Sequence, residues 1–432
     1  MQAVVVGSGP NGLVGAIVLA QAGLEVTVVE AAEAAGGGLR SAELTLPGFV
    51  HDLCSSVHPL ARLSPGLRGL GLEVDWVDPP AAAAHPLDDG SAVVLRWSIE
   101  ETASALGRDA DRYRALVSPL VERWDALEPA LLGPFPLGAG TVLGAARALG
   151  RAGARALLQD ARSLAGSFEE ERSRAFLAGL AAHAILPLER RPSGGIGLLL
   201  AVAAHVDGWP SPRGGSQQLA DELVARLIEL GGVLRTGEPA DELPEADVVL
   251  CDVMPRELLR LAGGRLPERY ERALTRYRHG PGAFKVDWAL SKPIPWRARG
   301  CAEASTVHVG GTFDEIARSE WDAALGRPPV APFVLVTQPA RFDPTRAPEG
   351  LTTAWGYCHV PNGYPGDLTE AIEAQVERFA PGFRDTILAR ATTSPPELEQ
   401  RNRNLVGGDV GGGAMTLGQL LARPVRSRTP YR

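Results

Sequence analysis

The sequence predicts an α/β fold organised around a parallel, helix-backed sheet, and three features near its start carry that expectation. Residues 3–6 form a short, apolar, β-branched run, the pattern of a strand buried on both faces. Gly7-Ser8-Gly9-Pro10-Asn11-Gly12 follows at once and opens a small-residue helix over residues 13–22, which Gly23 ends. Residues 25–29 then read as a second strand that closes on Glu30. Strand, glycine turn, helix and strand together make a βαβ unit of the Rossmann type.

Each glycine in this turn has its own physical task. Gly7 permits the tight bend, Gly9 lets bare backbone approach a diphosphate, and Gly12 lets the helix pack closely on the strand. The helix N-terminus adds free N–H groups and the positive end of its dipole. Glu30 lies 18 positions after Gly12, near the ~20 expected for the acid that accepts both ribose hydroxyls. A carboxylate there repels a 2′-phosphate and so disfavours NADP. Pro10 and Asn11 within the turn, and Ala31 beside the acid, belong to the same candidate site. A second glycine group, Gly36-Gly37-Gly38, precedes Arg40. A second close backbone approach suits a long, extended cofactor gripped from both sides, with Arg40 available to its phosphate. The competing reading of this group is a flexible connector, and that of the first is a glycine turn in an unrelated α/β protein.

Composition narrows the classes further. The chain has 432 residues, long enough for two or more domains, with 45% hydrophobic and 22% charged residues. A net charge of −8 gives no overall reason to expect a nucleic-acid partner. Arginine supplies nearly all the positive charge; the only lysines are Lys285 and Lys292. Because arginine stays protonated, lysine-base or Schiff-base chemistry has two candidates at most. Cys54, Cys251, Cys301 and Cys358 stand far apart with no C-x-x-C pair, which argues against a zinc knuckle or a neighbouring redox disulfide. No apolar run reaches membrane-spanning length, and the first residues enter a strand with no basic leader, so a cytoplasmic protein is expected.

Beyond the opening unit, residues 76–206 read mainly as helices with Pro/Gly breaks at 132–136 and 191–195. Arg147, Arg151 and Arg155 fall at i, i+4 and i+8, one stripe on a helix. A solvated face explains the stripe, and peripheral contact with anionic lipid is the functional alternative. Leu219, Leu223, Leu227 and Leu230 give residues 216–230 an amphipathic helix, with a strand at 233–236 after Gly231-Gly232. Residues 247–251 form a further strand in which Cys251 is a small buried hydrophobe. From residue 283 strands dominate: Phe284, Val286, Trp288 and Leu290 alternate at period two, followed by strands at 332–338 and 351–359 and a helix at 369–379. By residue type His58, His205 and His359 can serve as bases, although each is more simply a structural histidine. In the glycine loop 407–413, Asp409 either orients a ligand's polar group or sits in a mobile turn. No Ser-His-Asp pattern or H-E-x-x-H metal helix appears; no catalytic residue is named and no metal is expected.

The motif over residues 6–12, Glu30 and Gly36-Gly37 resembles the start of the phytoene desaturase-like FAD-dependent oxidoreductases, in particular the pyridine nucleotide-disulphide oxidoreductase domain-containing group. Gly214-Gly215-Ser216 resembles that family's glycine segment before a helix. Residues 283–290 resemble its central strand, and residues 377–383 and 404–409 resemble its late signatures. The resemblance implies FAD as cofactor and a glutathione reductase-type FAD/NAD(P)-binding domain split over residues 1–75 and 207–275. It further implies an inserted α+β substrate domain, with a mainly helical cap at 76–206 and a sheet with a helix at 276–432. Pro239 and Ala240 would lie beside the adenine, and the reaction would remove hydrogen from a hydrophobic small molecule. Two departures accompany it: the stretch 237–246 is shorter than the family's β-meander, and the family's final glycine-rich strand-turn-helix beside the flavin ring is not found before Arg432. That second departure leaves open an inactive relative acting as a binding module; the glycine motif alone also leaves open an NAD-dependent dehydrogenase.

Overall fold

The computed structural model describes residues 1–134, 137–425, 427 and 429–431. Phe135 and Pro136 of the expected break, and Arg432, lie outside the described residues. Strand β1 (Gln2–Val6) leads through the glycine turn into a helix, Pro10–Gln21, and returns as β2 (Glu25–Val29). The helix starts at Pro10, three residues before the expected position, because a proline at the first helical turn loses no hydrogen bond and already has helical φ. A hairpin of β3 (Ser41–Glu43) and β4 (Val50–Asp52) follows.

The next segment departs from the expected helical cap. It opens with β5 (Trp76–Val77), β6 (Ala81–Pro86) and β7 (Ala92–Arg96). Four consecutive alanines in β6 have little strand propensity and no periodicity, so local signals could not find it. Its conformation is set by parallel pairing with a strand more than two hundred residues later. Helices then run from Ile99–Ser104 to Ser193–Asp207, as expected. Within Ala139–Leu158, Gly150 takes φ 58° and ψ −171° and breaks the helix into two. Arg147 therefore sits on one segment and Arg151 and Arg155 on the other, so the single basic stripe does not form.

After β8 (Ser211–Pro212), which pairs with β5, the helix Gln217–Glu229 and the strands β9 (Val233–Arg235) and β10 (Val248–Cys251) complete the first sheet. Its order is β10-β1-β2-β9, all parallel, with Val6 opposite Cys251 and Val29 opposite Arg235. Leu219, Leu223 and Leu227 pack against Val5, Ile17 and Val28 in its core.

The second sheet contains β11 (Gly282–Leu290), β12 (Ala304–Val309), β13 (Val334–Thr337), β14 (Thr352–Val360) and β15 (Ile387–Thr393). With β6 and β7 it reads β15-β11-β14-β13-β12-β6-β7. One face of β11 (Phe284, Val286, Trp288 and Leu290) packs on Ile372, Val376 and Phe379 of the helix Thr369–Phe379. Its opposite face is buried too and carries Lys285 and Asp287. That face looks toward the first domain.

The hairpin β3–β4 is locked between the two sheets by an ion pair. Arg346 donates from Nη2 to Asp52 Oδ2 at 2.8 Å and from Nε to the Val50 carbonyl at 3.2 Å. The other Asp52 oxygen accepts from Ser41 Oγ at 2.7 Å and from the Ser216 backbone at 2.9 Å. Burial alone would raise the Asp52 carboxyl, but the Arg346 charge and the hydrogen bonds from Arg346, Ser56 and Ser216 outweigh it and hold the group below its ordinary 3.8. A depressed carboxyl stabilises the fold above its ordinary value, and the contribution is lost as pH falls through the folded-state value. Arg346→Met strands the carboxylate and is expected to destabilise the protein by about 3–5 kcal/mol in chemical denaturation. Arg272→Ala, which removes an exposed pair with Glu268, should cost about 0.5 kcal/mol or less. Equal effects from the two would show that the clamp carries no special weight.

Candidate functional site

The glycine turn is bare because no side chain fits there. A Cβ on Gly12 would stand 2.2 Å from the Gly7 carbonyl oxygen, and one on Gly9 would stand 2.6 Å from Asp252 Oδ2. Gly7 itself has φ +99°, a conformation that L side chains rarely adopt. These contacts follow from the pairing of β1 with β10, which sets Asp252 against the turn. A cavity of about 610 Å³ opens on the other side of it.

Of the residues singled out from sequence, Gly7, Gly9, Pro10, Asn11, Glu30, Ala31, Gly37, Gly38, Arg40 and Ala240 line this cavity together. Gly12 and Gly36 lie behind its wall: Gly12 packs the helix on the turn, and Gly36, at φ +115°, makes room for Ala220. Glu30 accepts from the Ser8 backbone at 2.9 Å, from Ser8 Oγ at 2.6 Å and from the Ala32 backbone at 2.8 Å. Those bonds orient the carboxylate and leave part of its acceptor capacity for a ligand. Arg40 donates to the Gly37 carbonyl at 3.1 Å and to the Arg401 carbonyl at 2.7 Å. Its guanidinium thus ties the second glycine group to the late segment as well as facing the cavity. Pro239 lines the wall beside Ala240, with Met254 and Leu261 adding apolar surface.

Asp252 was not foreseen. It accepts from the Gly12 backbone at 3.0 Å, and burial raises its carboxyl, with Glu30 adding to the shift. No motif marks it, since only the β1–β10 register brings it there.

A second cavity, about 230 Å³, lies between the sheets. Trp209, Leu335, Trp355 and Tyr357 make it largely apolar, and Cys54, His183 and Lys285 bring the titratable groups. Val410 lines both cavities, so the two adjoin at that residue. Lys285 Nζ pairs with Asp287 and stands 4.9 Å above the Trp355 ring centroid. Burial raises the Cys54 thiol although Lys285 and Arg40 pull it down, and burial likewise raises the Tyr357 phenol. Burial, helped by His359, lowers His183 to about 3, so its ring is neutral. Lys285 was legible only as one of two lysines; its placement follows from period two, on the face of β11 opposite Phe284 and Val286.

The other candidates are held elsewhere. His58 bonds Ser216 Oγ at 2.9 Å, and burial lowers it to about 4. His205 bonds the Tyr113 hydroxyl at 2.7 Å, and His359 bonds Glu320 at 2.9 Å. None of the three lines either cavity. Asp409 is turned into its own loop, accepting from the backbones of Gly280, Gly411 and Gly413 at 2.7, 2.9 and 2.9 Å. It therefore neither faces a ligand nor sits in a loose turn. Cys251 is half-buried, and burial pushes its thiol up to about 11, which leaves it a poor nucleophile. Among the described residues no cluster of three or more His, Cys, Asp or Glu is placed to hold a metal, and no helix is long and apolar enough to cross a membrane.

Residues 5–67 match the family model of the NAD(P)-binding Rossmann-like domain. Pyridine nucleotide-disulfide oxidoreductase domain-containing protein 2 of Mus musculus is 26% identical over 526 residues, covering 100% of this chain and 87% of that protein. Phytoene dehydrogenase of Streptomyces griseus is 28% identical over 447 residues, covering 92% of this chain and 78% of its own length. Among solved structures, putrescine oxidase bound to putrescine superposes with a TM-score of 0.58 at 18% identity, over 93% of this chain and 87% of that one, a likeness of fold. The chain is thus an α/β protein with an NAD(P)-binding Rossmann-like domain and a larger sheet domain, and its homologues include pyridine nucleotide-disulfide oxidoreductase domain-containing protein 2 and phytoene dehydrogenase.

Proposed function

We propose that the chain is an FAD-dependent oxidoreductase that removes hydrogen from a hydrophobic small molecule held in the aromatic cavity. The observation that carries this reading is the adjacency of two cavities, one at the glycine turn and one lined by aromatic side chains, which share Val410 as a wall. A dinucleotide anchored at the glycine turn needs a reacting end, and the space beyond Val410 is where one would meet a substrate. The residues present fit the group: Gly7, Gly9 and Gly12 have no room for a Cβ, Pro10 and Asn11 at the helix N-terminus line the space, and a carboxylate follows β2. Bound FAD would supply the hydride acceptor.

The chain's own residues do the rest. Gly7 and Gly9 admit the diphosphate to bare backbone, and Glu30 receives the ribose hydroxyls while excluding a 2′-phosphate. Pro239, Ala240, Met254 and Leu261 cover the adenine. Trp209, Leu335, Trp355 and Tyr357 exclude water from the substrate and favour an apolar one. Lys285 holds or takes up the proton that accompanies hydride loss, the one role in the cavity that a flavin does not fill.

The purified full-length protein is expected to be yellow, with flavin absorption that bleaches under a reductant. Colourless protein that takes up no added FAD would remove this reading, and nicotinamide-dependent turnover without flavin would point to a dehydrogenase instead. Glu30→Gln should weaken FAD binding by about 1.5–3 kcal/mol in equilibrium titration, since a charge-assisted acceptor becomes neutral while the shape persists. Unchanged affinity would put the ribose elsewhere.

A further inference from the structure

Behind the aromatic cavity one carboxylate faces two bases. Asp287 Oδ1 contacts Lys285 Nζ and also lies 3.4 Å from His51 Nδ1. All three residues are buried, at 0% exposure for Asp287, 1% for His51 and 3% for Lys285. Among the described residues His51 Nδ1 and Asp287 Oδ2 have no hydrogen-bond partner, while His51 Nε2 bonds Thr45 Oγ1 at 2.9 Å. Thr45 is half-buried, in the connection that reaches exposed Pro47 and Gly48. The cluster therefore runs from the cavity, through Asp287, toward the surface of the β3–β4 hairpin.

Charge decides how many protons it can hold. Two protonated bases around one carboxylate would leave a net positive charge out of water, which is strongly unfavourable without a further counter-ion. None is at hand. The neighbouring Asp52 is committed to Arg346, and the Cys54 thiol and Tyr357 phenol are kept neutral by burial. Arg40, which acts on Cys54 from the other side, only adds positive charge. The strands flanking Lys285 and Asp287 present Tyr357 and Trp355 from β14, and Thr393 and Ala391 from β15, with no acid among them.

We propose that Lys285 and His51 share a single proton through Asp287, so that His51 acts as a positioning residue that frees Lys285 as a base in the cavity. This deepens the proposed function and rests on reading the aromatic cavity as the substrate site. A proton leaving the substrate adds to the Lys285 lone pair. The ammonium releases a proton to Asp287 Oδ1, which passes it to His51 Nδ1, and the imidazolium gives up its Nε2 proton toward Thr45. After that first step each transfer breaks one N–H or O–H bond and forms another; the pair left by the departing proton becomes the new double bond of the substrate, and the hydrogen on the neighbouring atom leaves with its own pair to the flavin of the proposed reaction.

Having only two lysines makes the idea directly measurable. Full-length protein labelled with carbon-13 at lysine Cε gives two NMR signals, with exposed Lys292 as internal reference. In the unaltered protein, neutral Lys285 is expected wherever nitrogen-15 labelling shows the His51 ring protonated, and the converse. His51→Gln, which keeps a partner for Thr45 but cannot take a proton, should raise the Lys285 midpoint by about one pH unit or more, a tenfold gain in proton affinity. Lys292 should not move. A Lys285 midpoint equal in both proteins, or Lys285 and His51 both charged at one pH, overturns the proposal. Should the variant fail to fold, the second criterion still applies to the unaltered protein. The titration needs neither flavin nor substrate, so a failure of the proposed reaction and a failure of the shared proton are told apart.

Discussion

Everything in the first domain depends on two backbones approaching closer than any side chain allows. The parallel register of β1 with β10 brings Asp252 onto the glycine turn, and the turn and the helix it starts are in contact through Gly7 and Gly12. One added methyl group would have to displace main-chain oxygen or the half-buried Asp252 carboxylate. Pro10 has no N–H, and the Gly12 and Leu13 N–H groups are taken by Asp252 and the Gly9 carbonyl, so Asn11 supplies the remaining first-turn N–H beside the cavity. Asp252 shows how tight this arrangement is: the carboxylate takes the Gly12 N–H from the protein side and leaves the remainder of the turn to face the cavity.

The second organising feature is β4, where consecutive residues point opposite ways, as a strand requires. Asp52 goes to Arg346 and Ser216 and ties the hairpin to both domains, whereas His51 goes to Asp287 and the lysine behind the aromatic cavity. A strand of three residues thereby carries a clamp on one side and a proton-bearing group on the other. Because β11 is buried on both faces, its polar residues cannot relax into water: Lys285 and Asp287 partner each other, and β4 adds His51 beside the carboxylate. Domain closure and cavity chemistry are in this sense one packing problem.

The opening βαβ unit was legible because local chemistry dictates it: β-branched strands, glycines where no Cβ fits, and an acid at the end of the second strand. The amphipathic helix with Leu219, Leu223 and Leu227 and the strand β11 were legible from periodicity, and β13 and β14 were also expected, whereas β7, β12 and β15 were not foreseen. What escaped was set by distant pairing. The alanine strand β6 has no pattern of its own and is recruited by β12. The break at Gly150 looks, in sequence, like any small residue in a helix. Lys285 stood out by rarity but its neighbours His51 and Asp287, 236 positions apart, could be joined only by the fold. The three histidines chosen by type proved to be tied to Ser216, Tyr113 and Glu320, while His183, unremarked, is the one lining the cavity.

The central claim is that a dinucleotide is held by its adenosine diphosphate half at the bare turn. Competition titration against FAD separates that from any alternative. ADP should displace FAD, since it alone offers the diphosphate and ribose that the turn and Glu30 receive, and FMN should compete poorly because it brings only the ring end. FMN displacing FAD where ADP does not would contradict the account.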